Sequence, residues 1–206
     1  MILTISDIKI SSLFLLTVFT DCSVSNNPQR AEIRKLQKGN IKDGSSYVYS
    51  LPYKINKKHL LVQGYFSRLS HKERAALDFK MKKGTKICAA RSGVVVRVKE
   101  DSNKGGWSKK SRPFGNLLII QHEDGSRAGY WHLQKDGTLV NVGDTVKQGQ
   151  IFALSGRTGY ALFPHLHFIV WKFGGNNQWL QVATRFATSK VIKYLRPIHN
   201  YINGVE

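Results

Sequence analysis

From residue 47 onward, the chain alternates short hydrophobic runs with residues that favour turns. The runs are rich in Val, Ile, Leu and aromatic residues, and Gly, Asn and Asp separate them. Short runs at this spacing are typical of strands in a compact all-β fold. We therefore predict a mostly β domain, a compact sandwich or barrel-like structure with short helices at its periphery. The predicted strands are 47–51, 87–90, 94–98, 117–122, 128–133, 151–154 and 166–171.

Two segments within this domain resemble each other. Residues 83–93 and 148–156 both contain a Gly, a hydrophobic run, a small residue and a closing Gly. Such a repeat suggests two related β units that pack together, with glycines at the turns that flank the strands.

The start of the chain has a different pattern. Lys9 precedes an apolar run over 12–19 that is too short to cross a bilayer as a helix. This run predicts a signal peptide or lipoprotein signal over residues 1–22. We therefore expect an exported protein that is periplasmic, secreted or lipid-anchored through Cys22 at the cell envelope. Residues 23–46 are polar and charged and predict a linker, in which 29–38 could form a short helix. One domain then spans residues 47–206.

The chain is strongly basic, with 32 Lys and Arg against 13 Asp and Glu and a formal net charge of +19. Such a charge attracts polyanions, and salt weakens the attraction. The basic clusters at 57–58, 80–83 and 104–112 are not accompanied by a nucleic-acid-binding motif. We therefore predict no nucleic-acid partner, and we keep anionic cell-wall or surface polymers as candidate partners.

Two histidines lie two residues apart in the last predicted strand. Because side chains alternate along a strand, His165 and His167 project from one face, and Leu166 and Phe168 project from the other. Two imidazoles placed in this way can share a metal ion. Alone, such a pair is more often an ordinary surface or core feature.

Further candidate ligands lie upstream. His71 and Asp78 enclose residues 72–77, and Asp78 comes just before Phe79 at the start of a strand-like segment. Together with a second histidine they would supply two imidazoles and one carboxylate, the three-ligand set of a catalytic zinc site with a fourth position for water. Asp78 could instead cap a turn. His132 alternates with large apolar neighbours, which places it on the face opposite the core, and a structural role is the alternative.

Taken together, these motifs resemble those of the lysostaphin-like murein endopeptidases. The order His71 to Asp78, then Tyr-Trp-His-Leu at 130–133, then Pro-His-Leu-His-Phe at 164–168 is similar to that of the family. The likeness extends from about residue 60 to the C-terminus and includes 142–150. It implies a duplicated hybrid β motif and a monomeric zinc metalloendopeptidase that hydrolyses peptide cross-links of bacterial peptidoglycan.

The resemblance also implies a role for each candidate. His71, Asp78 and His167 would hold Zn²⁺, whereas His132 and His165 would be catalytic residues that line the site without binding the ion. One of these two would accept a proton from the attacking water, and the other would stabilise the developing oxyanion. The spacing leaves open which histidine is the base.

One departure from the family supports other hypotheses. The family usually has three residues between its first His and the Asp, whereas six separate His71 from Asp78, and Arg74 occupies the usual position. An arginine stays protonated and cannot bind a metal. A catalytically degenerate cell-wall-binding regulator on the same fold is therefore the first alternative. The second is a carrier module, because 142–150 also resembles turns of biotinyl and lipoyl carriers, but the chain has no Met-Lys-Met attachment turn.

Overall fold

The computed structural model describes residues 25, 27–44, 46–175 and 177–204. The predicted signal over 1–22 and the predicted lipid site at Cys22 lie outside the described residues. The predicted mostly β fold is confirmed. The elements are α1 (Gln29–Lys38), β1 (Val48–Ser50), β2 (Lys58–Gln63), β3 (Ala76–Lys80), β4 (Lys86–Cys88), β5 (Gly93–Lys99), β6 (Gly105–Gly106), a 3-10 helix (Lys109–Phe114), β7 (Leu117–Gln121), β8 (Arg127–Trp131), β9 (Leu133–Thr138), β10 (Thr145–Val146), β11 (Ile151–Ser155), β12 (Gly159–Tyr160), β13 (His165–Phe173), β14 (Trp179–Val182), β15 (Arg185–Ala187), β16 (Ile192–Tyr194) and β17 (His199–Ile202).

The largest sheet contains nine strands. Its order is β10-β5-β7-β8-β13-β3-β2-β17, and β14 pairs with the last part of β13. The strand β13 lies between β8 and β3, so both of its edges are hydrogen-bonded. Because this order has two ends, the described strands form an open sheet and not a closed barrel.

Three smaller sheets accompany the large one, and aromatic side chains join two of them to it. The sheet β4-β11-β9 meets the large sheet where the rings of Tyr130 and Phe152 lie 4.8 Å apart. The sheet β1-β15-β16 meets it where Phe186 packs 5.8 Å from Phe168. These rings are almost fully buried, so the core lies on one face of the large sheet. The opposite face of β3 and β13 carries Asp78, His165 and His167, beside apolar residues that include Ile169 and Trp171.

Each of the seven strands predicted from hydrophobic runs is present, with ends that differ by a few residues. The run predicted as 128–133 is split, because His132 has a positive φ of 65° and ends β8 before β9 begins. The hydrophobic runs did not predict β2, the two-residue strands β6, β10 and β12, or the strands after residue 173. The repeated segments lie side by side, since β4 pairs with β11.

The predicted linker over 23–46 contains an ordered helix, α1, whose ends and packing are well defined. Its C-terminus has a left-handed Gly39 with φ 76°, and the Gly39 N–H donates to the Leu36 carbonyl. Ile33 is buried in the main hydrophobic cluster, and the Gln37 side chain donates to the Leu195 carbonyl at 2.6 Å. The helix is therefore packed against the domain. Among the described residues, no helix combines the length and apolar character needed to span a membrane.

Candidate metal centre and active site

Asp78 and His167 lie opposite each other on adjacent strands. They are directly paired in the antiparallel register of β3 and β13, which brings two side chains of one face close together. The His167 Nδ1 atom is 2.8 Å from Asp78 Oδ1. The neighbouring residues Leu77 and Phe168 point to the other face and are buried in the core. The predicted alternation of β13 therefore holds, and core packing fixes the orientation of both polar residues.

His71 reaches the same carboxylate from a loop that precedes β3. Its Nε2 atom is 3.2 Å from Asp78 Oδ2, and its ring is 5.1 Å from the ring of His167. His71 Nδ1 donates to the Gly64 carbonyl at 3.2 Å. Because a carbonyl only accepts, this bond puts the proton on Nδ1 and leaves a lone pair on Nε2. The His71 side chain is buried, and Nε2 makes no hydrogen bond.

The ligand atoms of His71, Asp78 and His167 all lie within 4.8 Å of one another. A buried imidazole nitrogen without a hydrogen bond is costly unless another partner satisfies it, and a metal ion would do so. Two imidazoles and one carboxylate are also a donor set that a divalent metal accepts. These three residues therefore fit a metal site. They are the three that the family resemblance implied, although six residues separate His71 from Asp78.

Charge in this cluster favours metal binding. Burial alone would raise the pKa of Asp78, but His71 and the hydrogen bond from His167 hold it well below its usual range. Burial lowers the pKa of His167, although Asp78 opposes the effect. An ionised carboxylate beside a neutral imidazole has free lone pairs for a cation, and protonation would block both.

His132 and His165 form a second pair beside this cluster, with ring centres 4.5 Å apart. His132 Nδ1 donates to the Thr158 carbonyl at 2.7 Å, and His165 Nδ1 donates to the Phe163 carbonyl at 2.8 Å. Both bonds leave the Nε2 lone pair available. His165 Nε2 is 3.8 Å from Asp78 Oδ1. Burial, followed by His165 and His167, lowers the pKa of His132 to about 3, so His132 is neutral at pH 7.

A buried hydrogen-bond network fixes the Thr158 carbonyl that orients His132. The Thr158 hydroxyl donates to the Leu133 carbonyl at 2.8 Å and accepts from the Asn116 N–H at 3.0 Å. Asn116 is fully buried and donates in turn to the Ser102 carbonyl. The sequence alone assigned no role to Thr158 or Asn116, because their contacts join segments that are far apart in the chain.

Gln63 is a further neighbour of Asp78 that no sequence motif indicated. Its amide Nε2 donates to Asp78 Oδ2 at 2.8 Å and to the Ser70 hydroxyl at 3.0 Å, and its Oε1 accepts from the Ser70 N–H at 3.1 Å. Gln63 is thus joined both to the carboxylate and to the residue before His71. Gln63 is directly opposite Asp78 in the register of β2 and β3. Predicting β2 from its Leu-Leu-Val core would have indicated this position.

An aromatic side chain packs against the metal-binding candidates. The ring of Trp131 lies edge-on to His167 at 5.7 Å and to Trp171 at 5.3 Å. Gly129 makes this possible, because a Cβ at this position would collide with the ring of Trp131. The ring of Trp131 therefore lies over Gly129 and packs against the ring of His167.

The remaining histidines, His59, His122 and His199, lie outside the cluster. His122 is buried and donates from Nδ1 to the Ser92 carbonyl at 2.8 Å. His59 bonds to the Lys80 carbonyl, and the exposed His199 bonds to that of Pro197. Within the described residues, the only group of metal-binding side chains is the one formed by His71, Asp78 and His167.

Comparison with known proteins agrees with this geometry. Residues 72–180, just over half of the chain, match Peptidase family M23. The chain is 41% identical over 93 residues to the glycyl-glycine endopeptidase ALE-1 of Staphylococcus capitis and 37% identical over 92 residues to the peptidoglycan DD-endopeptidase ShyA of Vibrio cholerae. These matches cover 45% and 44% of this chain, but only 23% and 18% of the two relatives. The chain thus spans about a fifth of the length of these relatives.

A solved structure is also similar. The catalytic domain of the antimicrobial peptidase lysostaphin from Staphylococcus simulans is 33% identical, with a TM-score of 0.42. The match covers 61% of this chain and 88% of that domain.

Proposed function

Because the chain belongs to peptidase family M23, we propose that it is a zinc metalloendopeptidase that hydrolyses peptide cross-links of bacterial peptidoglycan. The observation that supports this most directly is the carboxylate of Asp78 between His71 and His167, with His132 and His165 beside it. The names of the relatives support the substrate class, since one acts as a peptidoglycan DD-endopeptidase and another as a glycyl-glycine endopeptidase.

Zinc is the metal that suits these donors best. Two neutral imidazoles and one aspartate provide three protein ligands, and catalytic zinc sites commonly have three, with a fourth position for water. We assign His71, Asp78 and His167 as the ligands. When bound, the ion supplies Lewis acidity that polarises the scissile carbonyl and makes water more acidic.

His132 and His165 then act on protons. Each has a lone pair on Nε2, because its Nδ1 donates to a backbone carbonyl. One ring accepts a proton from the attacking water and becomes a donor. The Nε2–H of that ring can then donate to the developing oxyanion and pass its proton to the leaving amine. The other ring, centred 4.5 Å away, accepts at Nε2 while it is neutral and would stabilise an oxyanion only when it is protonated there. The amide is cleaved without a covalent intermediate on the protein.

The cellular context of this activity is part of the proposal. We propose that the protein acts as a monomer after export, with a signal over residues 1–22 and a lipid on Cys22 as one form of anchoring. Peptidoglycan is its substrate, and the net charge of +19 attracts anionic wall or surface polymers. Nucleic acid is not a partner.

The proposal is tested with His167→Ala in the purified protein. We expect loss of both bound zinc and wall hydrolysis, because the variant removes a ligand between Asp78 and Trp131. His199→Ala, an exposed histidine on an edge strand, is the matched control and keeps both properties. Metal analysis and a wall-clearing assay measure the two outcomes. Stoichiometric zinc in the wild-type protein without any wall hydrolysis would instead support the regulator hypothesis.

A further inference from the structure

A basic pocket lies beside the candidate active site and outside the part of the chain that matches the family. It has a volume of about 650 Å³ and lies between α1, the segment that follows β2 and the turn before β17. Its lining residues all come from residues 30–38, 62–69 and 196–198. Five of them are cationic and, among the described residues that line it, none is acidic. The five are Arg30, Arg34, Lys38, Arg68 and Arg196.

The helix presents three of these cations on one face. Arg30, Arg34 and Lys38 are spaced by four residues, so they lie above one another along α1. Like charges at this spacing destabilise a helix in the absence of a counter-charge. Burial, then repulsion from Arg34 and Arg68, lowers the pKa of Arg30. The orientation of this face is fixed, because Gln37 and the buried Ile33 attach the helix to the domain.

The backbone of the pocket is also held in unusual conformations. Phe66 and Ile198 line it with positive φ angles of 50° and 62°. Such angles are unfavourable for residues with large or branched side chains, and they persist where the surrounding structure enforces them, often at binding sites. The only catalytic candidate with the same feature is His132.

The pocket is one side chain away from the metal-binding candidates. Gln63 lines the pocket and donates to Asp78 Oδ2 at 2.8 Å. Gln63 thus separates the two places, and a peptide bound at the candidate metal centre that extends past Gln63 would bring a neighbouring group to the pocket. Free carboxylates are the anionic groups that a wall peptide carries, and guanidinium groups bind carboxylates through two parallel hydrogen bonds.

We propose that this basic pocket is a substrate subsite that binds a free carboxylate of the wall peptide next to the scissile bond. The subsite rests on the proposed peptidase function. It makes the enzyme selective for peptides whose carboxylates are free over those in which they are amidated. Because the subsite is built from α1 and the turn at 196–198, it is a feature of this chain outside the matched segment.

The test compares two soluble cross-linked wall peptides that differ only in whether their carboxylates are free or amidated. We expect the zinc-loaded wild-type protein to cleave the free form with a kcat/KM about tenfold higher or more, since a charge-assisted hydrogen bond is worth about that factor. The double variant Arg30→Gln/Arg34→Gln should cleave both peptides with the kcat/KM that the wild-type protein has for the amidated peptide. Arg97→Gln, an exposed arginine on β5 at the far side of the sheet, should keep the preference.

Two kinetic results would overturn the subsite. In one, the double variant keeps the wild-type preference; in the other, it loses activity equally on both peptides, which indicates a structural role. An independent measurement is the affinity of each peptide for the zinc-loaded His132→Ala protein, determined by calorimetry. If the wild-type protein cleaves neither peptide, the proposed function fails, whereas tighter binding of the free form still supports the subsite. If both peptides bind equally tightly and inorganic phosphate competes with them, the pocket binds phosphate groups of a polymer instead. That result would overturn the proposal.

Discussion

Asp78 illustrates how one residue is fixed from several directions. Its Oδ1 lies beside His167 and its Oδ2 lies beside His71 and Gln63. Contacts to both oxygens therefore fix the orientation of the carboxylate. Carboxylates that bind metals are usually oriented by neighbouring hydrogen-bond partners in this way. We therefore expect the residues around the proposed ligands to influence metal affinity as well.

Replacing Gln63 with Leu should weaken zinc binding by about tenfold to a hundredfold without unfolding the protein, because it removes the hydrogen bond that orients Asp78. The dissociation constant is measured by competition with a zinc chelator, and circular dichroism monitors the fold. Gln178→Leu, an exposed glutamine without this contact, is the control. Unchanged affinity in Gln63→Leu would contradict the assigned positioning role.

The variant His132→Ala should keep zinc and lose hydrolysis. His132 lies beside the metal-binding cluster without belonging to it, and a positioned proton acceptor typically contributes about a hundredfold to ten-thousandfold in rate. Zinc content and wall hydrolysis are measured on the same sample. Full activity in this variant would refute the role given to His132 and leave His165 as the only candidate base.

A strand pattern placed only some of the candidate residues, and the family resemblance supplied the others. His165 and His167 followed from the period of two, and the register of β3 and β13 brought Asp78 opposite His167. His71 lies in a loop, whose path depends on contacts that a linear pattern does not contain. The bond from His71 to the Gly64 carbonyl is such a contact, and it explains how a gap of six residues still delivers the imidazole to Asp78.

At the level of elements, hydrophobic runs predicted the central strands better than the edge strands. The strand β7 reads Leu-Leu-Ile-Ile-Gln and is buried on both faces, so its signal is strong. The strands β14, β16 and β17 are short and mostly exposed, so they have no continuous run. The helix α1 has only one fully buried residue, Ile33, and its charged composition therefore resembled a linker.

The residue that follows β7 is a buried histidine, His122, that makes stability depend on pH. Burial lowers the pKa of His122 to about 4 from 6.5. Between these values the unfolded chain binds the proton and the folded chain does not, so the free energy of unfolding decreases as the pH falls from about 6.5 to about 4. The decrease amounts to at most about 3 kcal/mol.

We expect His122→Gln to reduce this pH dependence, because glutamine can still donate to the Ser92 carbonyl but does not titrate. Urea unfolding at several pH values between 4 and 7 measures the slope. The exposed His199→Gln is the comparison and should follow the wild-type curve. A wild-type slope in His122→Gln would show that other groups cause the acid sensitivity.

At the scale of the whole molecule, the charge of +19 should make action on intact wall depend on salt. Raising the ionic strength from about 0.1 M to about 1 M shortens the Debye length from about 10 Å to about 3 Å. Hydrolysis of anionic wall should therefore fall severalfold, whereas cleavage of a small uncharged peptide should change little. An equal response of both substrates would contradict electrostatic attraction to the wall.

The basic character itself was evident from composition, but its organisation was not. The sequence clusters at 57–58, 80–83 and 104–112 are different from the pocket, whose cations come from three distant segments. Only folding brings Arg34, Arg68 and Arg196 together. The overall charge thus predicted an anionic partner, whereas the pocket defines a place where one carboxylate could bind.

The metal-binding candidates are divided between two kinds of structure. Asp78 and His167 lie on strands that are paired on both sides in the large sheet, whereas His71 lies on a loop held mainly by Gln63 and Gly64. Two of the candidate ligands are thus held by the sheet, and the third is held by contacts within a loop, so local opening of that loop would leave the paired strands intact. We expect the loop to control the rate at which the ion enters and leaves, and therefore the resistance of the enzyme to competing chelators.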